Sequence, residues 1–191
     1  MDYSGIQILT RLGESTIFSF VHYSFRTIIG EDGQEQLPID PDTSCIGPTG
    51  SCALAGDLRP NEQPTLGAMH VLFLREHNRL ARELKKVNPR WTDERLYQES
   101  RRILNAQWQH IIYNEWLPVV LGGTFLKNFG LQPLSKGFSE EYNPNFDPRV
   151  TNEFAAAAFR IGHTLIPNVI RTFSTITRFV SWTTLHQNYW L

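Results

Sequence analysis

Between Thr65 and Trp116 helix signals and helix stops follow one another so closely that little freedom is left for the fold. Leu66, Met69, Phe73, Leu80 and Leu84 recur at spacings of three, four and seven, which is one face of an α-helix. Val71, Leu72 and Leu74 make the opposite side apolar as well. A helix apolar nearly all round is expected to be buried in something larger, and this one should end near Asn88–Pro89. A second helix is predicted from Thr92, whose hydroxyl can cap free backbone N–H groups while Asp93 and Glu94 sit favourably in the first turn. Trp91 and Leu96 occupy the flanking positions of a hydrophobic staple. The helix should run to about Trp116, where Leu117–Pro118 interrupts it. A third helix is predicted in TNEFAAAAFRIGHTLI, capped by Thr151 or Asn152 and bent or ended by Pro167.

The connections read as ordered loops. GEDGQEQLPIDPDTSCIGPTG (residues 30–50) and the stretch from Gly122 to Arg149 are dominated by turn-formers. Short apolar pieces without a period fill residues 1–29, and no alternating strand longer than a few residues stands out. The expected fold is therefore mainly α. At 191 residues with 41% hydrophobic content, the chain is long enough for one globular domain with a real core. A formal charge of −1 gives no electrostatic argument for nucleic acid or an anionic membrane. No apolar run reaches the length of a membrane span. MDYSGIQILTRLGESTIFSF lacks a basic leader and a clear cleavage site, so it does not read as a signal peptide. Twelve Phe, six Tyr and five Trp suit a large core, and equally a flat hydrophobic ligand. Cys45 and Cys52 are the only cysteines, and their spacing in CIGPTGSC leaves a local disulfide and a pair of thiols equally open.

Few residues carry chemistry. In LAGDLRPNEQPTLG a Pro-flanked bend holds Arg59 and Glu62, three apart, so one helical turn would aim both the same way. They are either an ion pair or two working parts of one site. His163 follows Gly162 late in the third helix, and a helical Gly costs about 1 kcal/mol against Ala. The alanines at 155–158 present a low-relief surface, beside which a histidine could ligate the iron of a flat macrocycle. The plainer reading is a hydrogen-bonded core histidine beside small packing residues. His70 and His77, seven apart on one helix face, could bind metal, yet no carboxylate completes a ligand spacing. Buried, hydrogen-bonded histidine is the expectation for both, and for His110. RELKK (residues 82–86) reads as a solvated helix end. Phosphate loops, dinucleotide fingerprints and hydrolase triads leave no motif here.

LAGDLRPNEQPTLGAMHVLFLREHNRLA strongly resembles the signature of the animal haem peroxidase superfamily, which includes the myeloperoxidase- and peroxidasin-like enzymes. WTDERLYQESRRI and FRIGHTLIPN resemble its next two helices in the right order, and LPIDPDTSCIGPTGSC its preceding loop with both cysteines. The nearest branch is the invertebrate peroxinectin-like or chorion type. The resemblance covers roughly residues 25–173, the central helical portion of the peroxidase domain. Residues 1–24 diverge, and 174–191 are a truncated part of the same domain.

This resemblance implies reduction of H2O2 with oxidation of a donor, in the extracellular space, with a possible matrix or cell-surface partner. It implies haem b, with His163 as axial iron ligand, Arg59 beside the peroxide and Glu62 as an ester tether to the ring. It also implies a Cys45–Cys52 disulfide. Gln63 stands where part of the family has a methionine, so no third link is expected. The family's distal histidine and its calcium segments find no match; the only histidine before Arg59 is His22. The competing expectation is a non-catalytic, peroxidase-like adhesion fragment. A metal-dependent hydrolase using His70 and His77 comes third.

Overall fold

The computed structural model describes residues 27–45, 51–57, 59–167, 169–173 and 180–184. They fall into two compact units: one takes 37–72 and the residues from 147 onward, the other 27–36 and 73–146. The architecture is mainly helical, as expected, with short two-stranded antiparallel hairpins. None of the described helices is long and apolar enough to cross a membrane.

Two hairpins lie where a loop was expected. β1 (Ile28–Ile29) pairs with β2 (Glu35–Gln36) across a turn that needs Gly33 at φ 73°. β3 (Ile39–Ser44) pairs with β4 (Ser51–Ala53), with a bulge between Asp40 and Ser44. Pro41 falls inside that bulge, where its missing N–H takes no bond from the ladder. Turn-forming composition therefore hid strands whose irregularity accommodates it. The disulfide Cys45–Cys52 closes this hairpin, its Cα atoms 5.1 Å apart.

α1 spans Pro64–Val87, with Pro64 at the first helical position, where its absent N–H costs nothing. Its buried stripe is Leu74, His77, Asn78 and Ala81, while Met69 and Leu72 are exposed. The expected face was thus displaced. Two polar residues take the buried positions because partners meet their hydrogen bonds. Asn78 Nδ2 donates to Glu35 Oε1 at 3.2 Å, Arg82 Nη1 to the same oxygen at 3.1 Å, and Arg75 Nε to the Glu35 carbonyl at 2.6 Å. Lys85 and Lys86 close the helix, as the dipole favours.

α2 (Asp93–Ile111) starts at the expected cap, with Thr92 Oγ1 accepting from Arg95 N at 3.3 Å. Leu96 is fully buried, and the Arg95 guanidinium lies 4.2 Å from the centre of the Trp91 ring. Phe73 meets Trp108 edge-on at 4.8 Å, and Gln107 Nε2 donates to Glu76 Oε1 at 3.0 Å, joining α1 to α2. The expected run to Trp116 ends in a π-helical turn, Ile112–Trp116, before α3 (Leu117–Leu121). Pro118 cannot donate to a carbonyl one turn back, and the widened turn lets Leu117 N reach Ile112 O instead. α4 (Gly123–Asn128) follows Gly122 at φ 77°.

The third helix is shorter than the pattern suggests. α5 covers Asn152–Ala156, with Thr151 as its cap, and a 3-10 segment, Ala158–Leu165, follows. All of it is exposed, so no packed face holds the α form against its ends. β5 (Val169–Phe173) and β6 (Val180–Thr184) form a hairpin that the sequence pattern did not disclose.

Candidate functional site

A 3-10 turn, Arg59–Asn61, carries the bend between β4 and α1. Asn61 anchors it. Its Oδ1 accepts from Ala53 N at 2.8 Å, and its Nδ2 donates to Ala53 O at 2.9 Å. One side chain thus occupies both polar groups of a β4 residue, much as a neighbouring strand would. Pro60 is buried. A Cβ placed on Gly67, in the first turn of α1, would stand 2.9 Å from the Pro60 carbonyl oxygen. The glycine allows helix and turn to approach that closely.

The backbone closes a single turn over Arg59 and Glu62, with Glu62 N donating to Arg59 O at 2.9 Å. The Arg59 side chain, however, does not take Glu62 as its ion-pair partner. Arg59 pairs with Asp57. Asp57 Oδ1 accepts from Arg59 N at 2.8 Å and from Arg59 Nε at 2.6 Å, and Oδ2 accepts from Nη2. The bond to Arg59 holds the Asp57 carboxyl below its ordinary pKa, burial opposing, and the same bond raises Arg59 above its own. Sequence reasoning missed Asp57. The Asp-x-Arg spacing was available as a signal, because Asp side chains commonly bond the backbone N–H two residues on.

His163 rides on a separate element, the exposed 158–165 segment. This overturns the core-histidine reading. A Cβ on Gly162 would meet nothing within 4 Å, and the alanines at 155–158 are exposed beside it. An imidazole on an open, low-relief surface with Phe159 and Ile161 exposed alongside suits a flat apolar ring carrying iron. By donor chemistry the residues present fit haem: imidazole for iron, a carboxylate for an ester, a guanidinium for an anionic oxygen.

The other histidines take different places. His77 is buried, with Nδ1 3.4 Å from Asn78 Oδ1 and Nε2 3.4 Å from Tyr97 O; burial lowers its pKa. His70 Nδ1 lies 2.9 Å from Leu66 O. His110, expected to be buried, is exposed and meets Asn114 Nδ2 at 3.0 Å. No group of three or more His, Cys, Asp or Glu is placed to hold a metal ion among the described residues, which removes the support for a hydrolase on His70 and His77. His22 lies outside the described residues.

The sequence profile described as animal haem peroxidase matches residues 22–190. The chain belongs to the animal haem peroxidase family. Among relatives of this chain, human myeloperoxidase is 48% identical over 142 residues, covering 71% of this chain and 18% of that protein. The chorion peroxidase of Aedes aegypti is 44% identical over 141 residues, covering 73% and 18%. Among solved structures, Peroxidase A from Dictyostelium discoideum superposes with a TM-score of 0.66 at 31% identity, covering 85% of this chain and 30% of that one. The chain therefore spans under a fifth of these two curated relatives and under a third of that structure.

Proposed function

We propose that this chain is the part of a haem-dependent peroxidase that activates H2O2 and anchors the haem, an unidentified donor being oxidised in turn. The observation that carries the reading is the Arg59–Glu62 turn: a guanidinium held in place by Asp57, three residues before Glu62, in a chain of this family. Haem, when bound, would supply the iron at which peroxide is reduced. His163 would hold that iron through a neutral ring nitrogen. Glu62 would tether the ring through an ester. Arg59 would stabilise the negative charge growing on the departing peroxide oxygen. It cannot act as the base, since a guanidinium stays protonated and Asp57 holds its pKa higher still. The Cys45–Cys52 disulfide supports an oxidising, extracellular location.

Titration of the chain with haemin tests this. A Soret band characteristic of ligated haem is expected, lost in His163→Ala and kept in His70→Ala. After incubation with peroxide, the haem adduct should map to the tryptic peptide holding Glu62. Equal loss in both histidine variants would remove the assignment of His163, and an adduct elsewhere with none on Glu62 would remove the tether. Absence of any band would favour the second reading, a non-catalytic adhesion fragment, for which the exposed Phe129, Phe138 and Tyr142 are the supporting observation.

A further inference from the structure

We propose that Asp57 is a positioning residue: it fixes the Arg59 side chain in one orientation before any peroxide arrives, with the outer edge of the guanidinium left open. The proposal rests on the reading of Arg59 given above and adds the device that aims it. Arg59 is a long side chain with 54% of its surface exposed, on a short turn, where an unheld arginine would sample many rotamers. Asp57 is the more enclosed partner at 18%. It grips Arg59 at two places. Its Oδ1 accepts the Arg59 backbone N–H, which fixes the carboxylate to the turn itself. The same carboxylate then takes the Nε and Nη2 edge as a fork.

The division of donors follows from that grip. A guanidinium has five N–H bonds, and the fork uses the one on Nε and one on Nη2. Both Nη1 donors and the second Nη2 donor take no partner among the described residues and stay available to an oxygen that is gaining negative charge. The arrangement also lowers the net positive charge of the bend, so that Arg59 acts as an oriented donor group more than as a bare cation. A donor already aimed needs no reorganisation as charge develops.

Asp57→Asn is the discriminating variant. It keeps the shape and keeps Oδ1 for the Arg59 backbone N–H, so the turn is retained. It removes the charge and turns an amide N–H against Nη2. In 15N-edited NMR spectra of the full chain, the Arg59 Nε–H signal, identified by its loss in Arg59→Ala, should be resolved and slow to exchange. In Asp57→Ala, which also removes the Oδ1 that accepts Nε–H, it should collapse into the envelope of solvated arginines. In the haem-loaded Asp57→Asn chain, where an amide N–H faces Nη2, kcat/KM for peroxide should fall about tenfold or more, the scale on which misplaced reacting groups lose rate. Adding Asp57→Asn to Arg59→Ala should lose nothing further, because the two act through one interaction. An unchanged Nε–H signal in Asp57→Ala, or an undiminished loss in the Arg59→Ala background, would overturn the proposal. Failure to bind haem, with the signal still lost in Asp57→Ala, would remove the peroxidase reading and leave the Asp57–Arg59 arrangement standing.

Discussion

Two glycines show how differently one residue type can be constrained. Gly67 stands against the Pro60 backbone, whereas Gly162 faces open space. Gly67→Ala should gain helix propensity and still destabilise the chain by about 1–3 kcal/mol, because the new methyl must push a backbone carbonyl. Gly162→Ala should be neutral or slightly stabilising. Urea unfolding of both variants checks this, and a stabilised Gly67→Ala would show that turn and helix do not pack as described. The candidates Arg59, Glu62 and His163 stand out in the sequence because each is chemically conspicuous near a Pro or Gly signal. Asp57 and Asn61 were not visible. Their roles are hydrogen bonds to particular backbone groups, Arg59 N and Ala53 N and O, and no side-chain periodicity reports which backbone group lies within reach.

Among the elements, those with strong local signals were legible. α1 and α2 begin and end within a few residues of Pro64, Asn88 and Thr92 because caps and prolines act locally. What escaped was the phase of α1, since hydrophobicity cannot announce that His77 and Asn78 are the buried pair. Their burial has a consequence for acid stability. Burial pushes the His77 pKa down, with Asn78 and the Tyr97 carbonyl opposing. The unfolded chain then takes up a proton near the ordinary value of about 6.5 while the folded chain does not. Stability is therefore full above about pH 6.5 and falls as the pH drops from there toward the folded value, by up to about 1.4 kcal/mol per pH unit. The carboxyls of Asp57 and Glu76, held below their ordinary values, weaken the fold only at lower pH. Thermal melts of the wild type and His77→Gln between about pH 5 and 7 separate these contributions. A slope equally steep in the variant would show that His77 is not its source.

Taken as a whole molecule, the chain is unevenly finished. Residues 123–165 expose many large apolar side chains, among them Phe138 at 96%, while the bend at Arg59 is fastened from several sides. The disulfide is part of that fastening, since Cys52 is followed directly by Ala53, the residue Asn61 holds. Removing the bond with Cys45→Ser and Cys52→Ser should raise amide hydrogen exchange in peptides covering 51–62 and leave those covering 93–104 unchanged. An equal rise in both regions would mean that the bond supports the chain at large and not the bend. The contacts that shape the bend also share a short reach. Cys45 to Cys52, Ala53 to Asn61, Asp57 to Arg59 and Pro60 to Gly67 all join residues eight or fewer apart. Nothing synthesised later is required for them. On the ribosome, this stretch can close as soon as Gly67 has cleared the exit tunnel, given an oxidant for the thiols. The bend that carries Arg59 and Glu62 would then be closed while the codon for His163 is still unread.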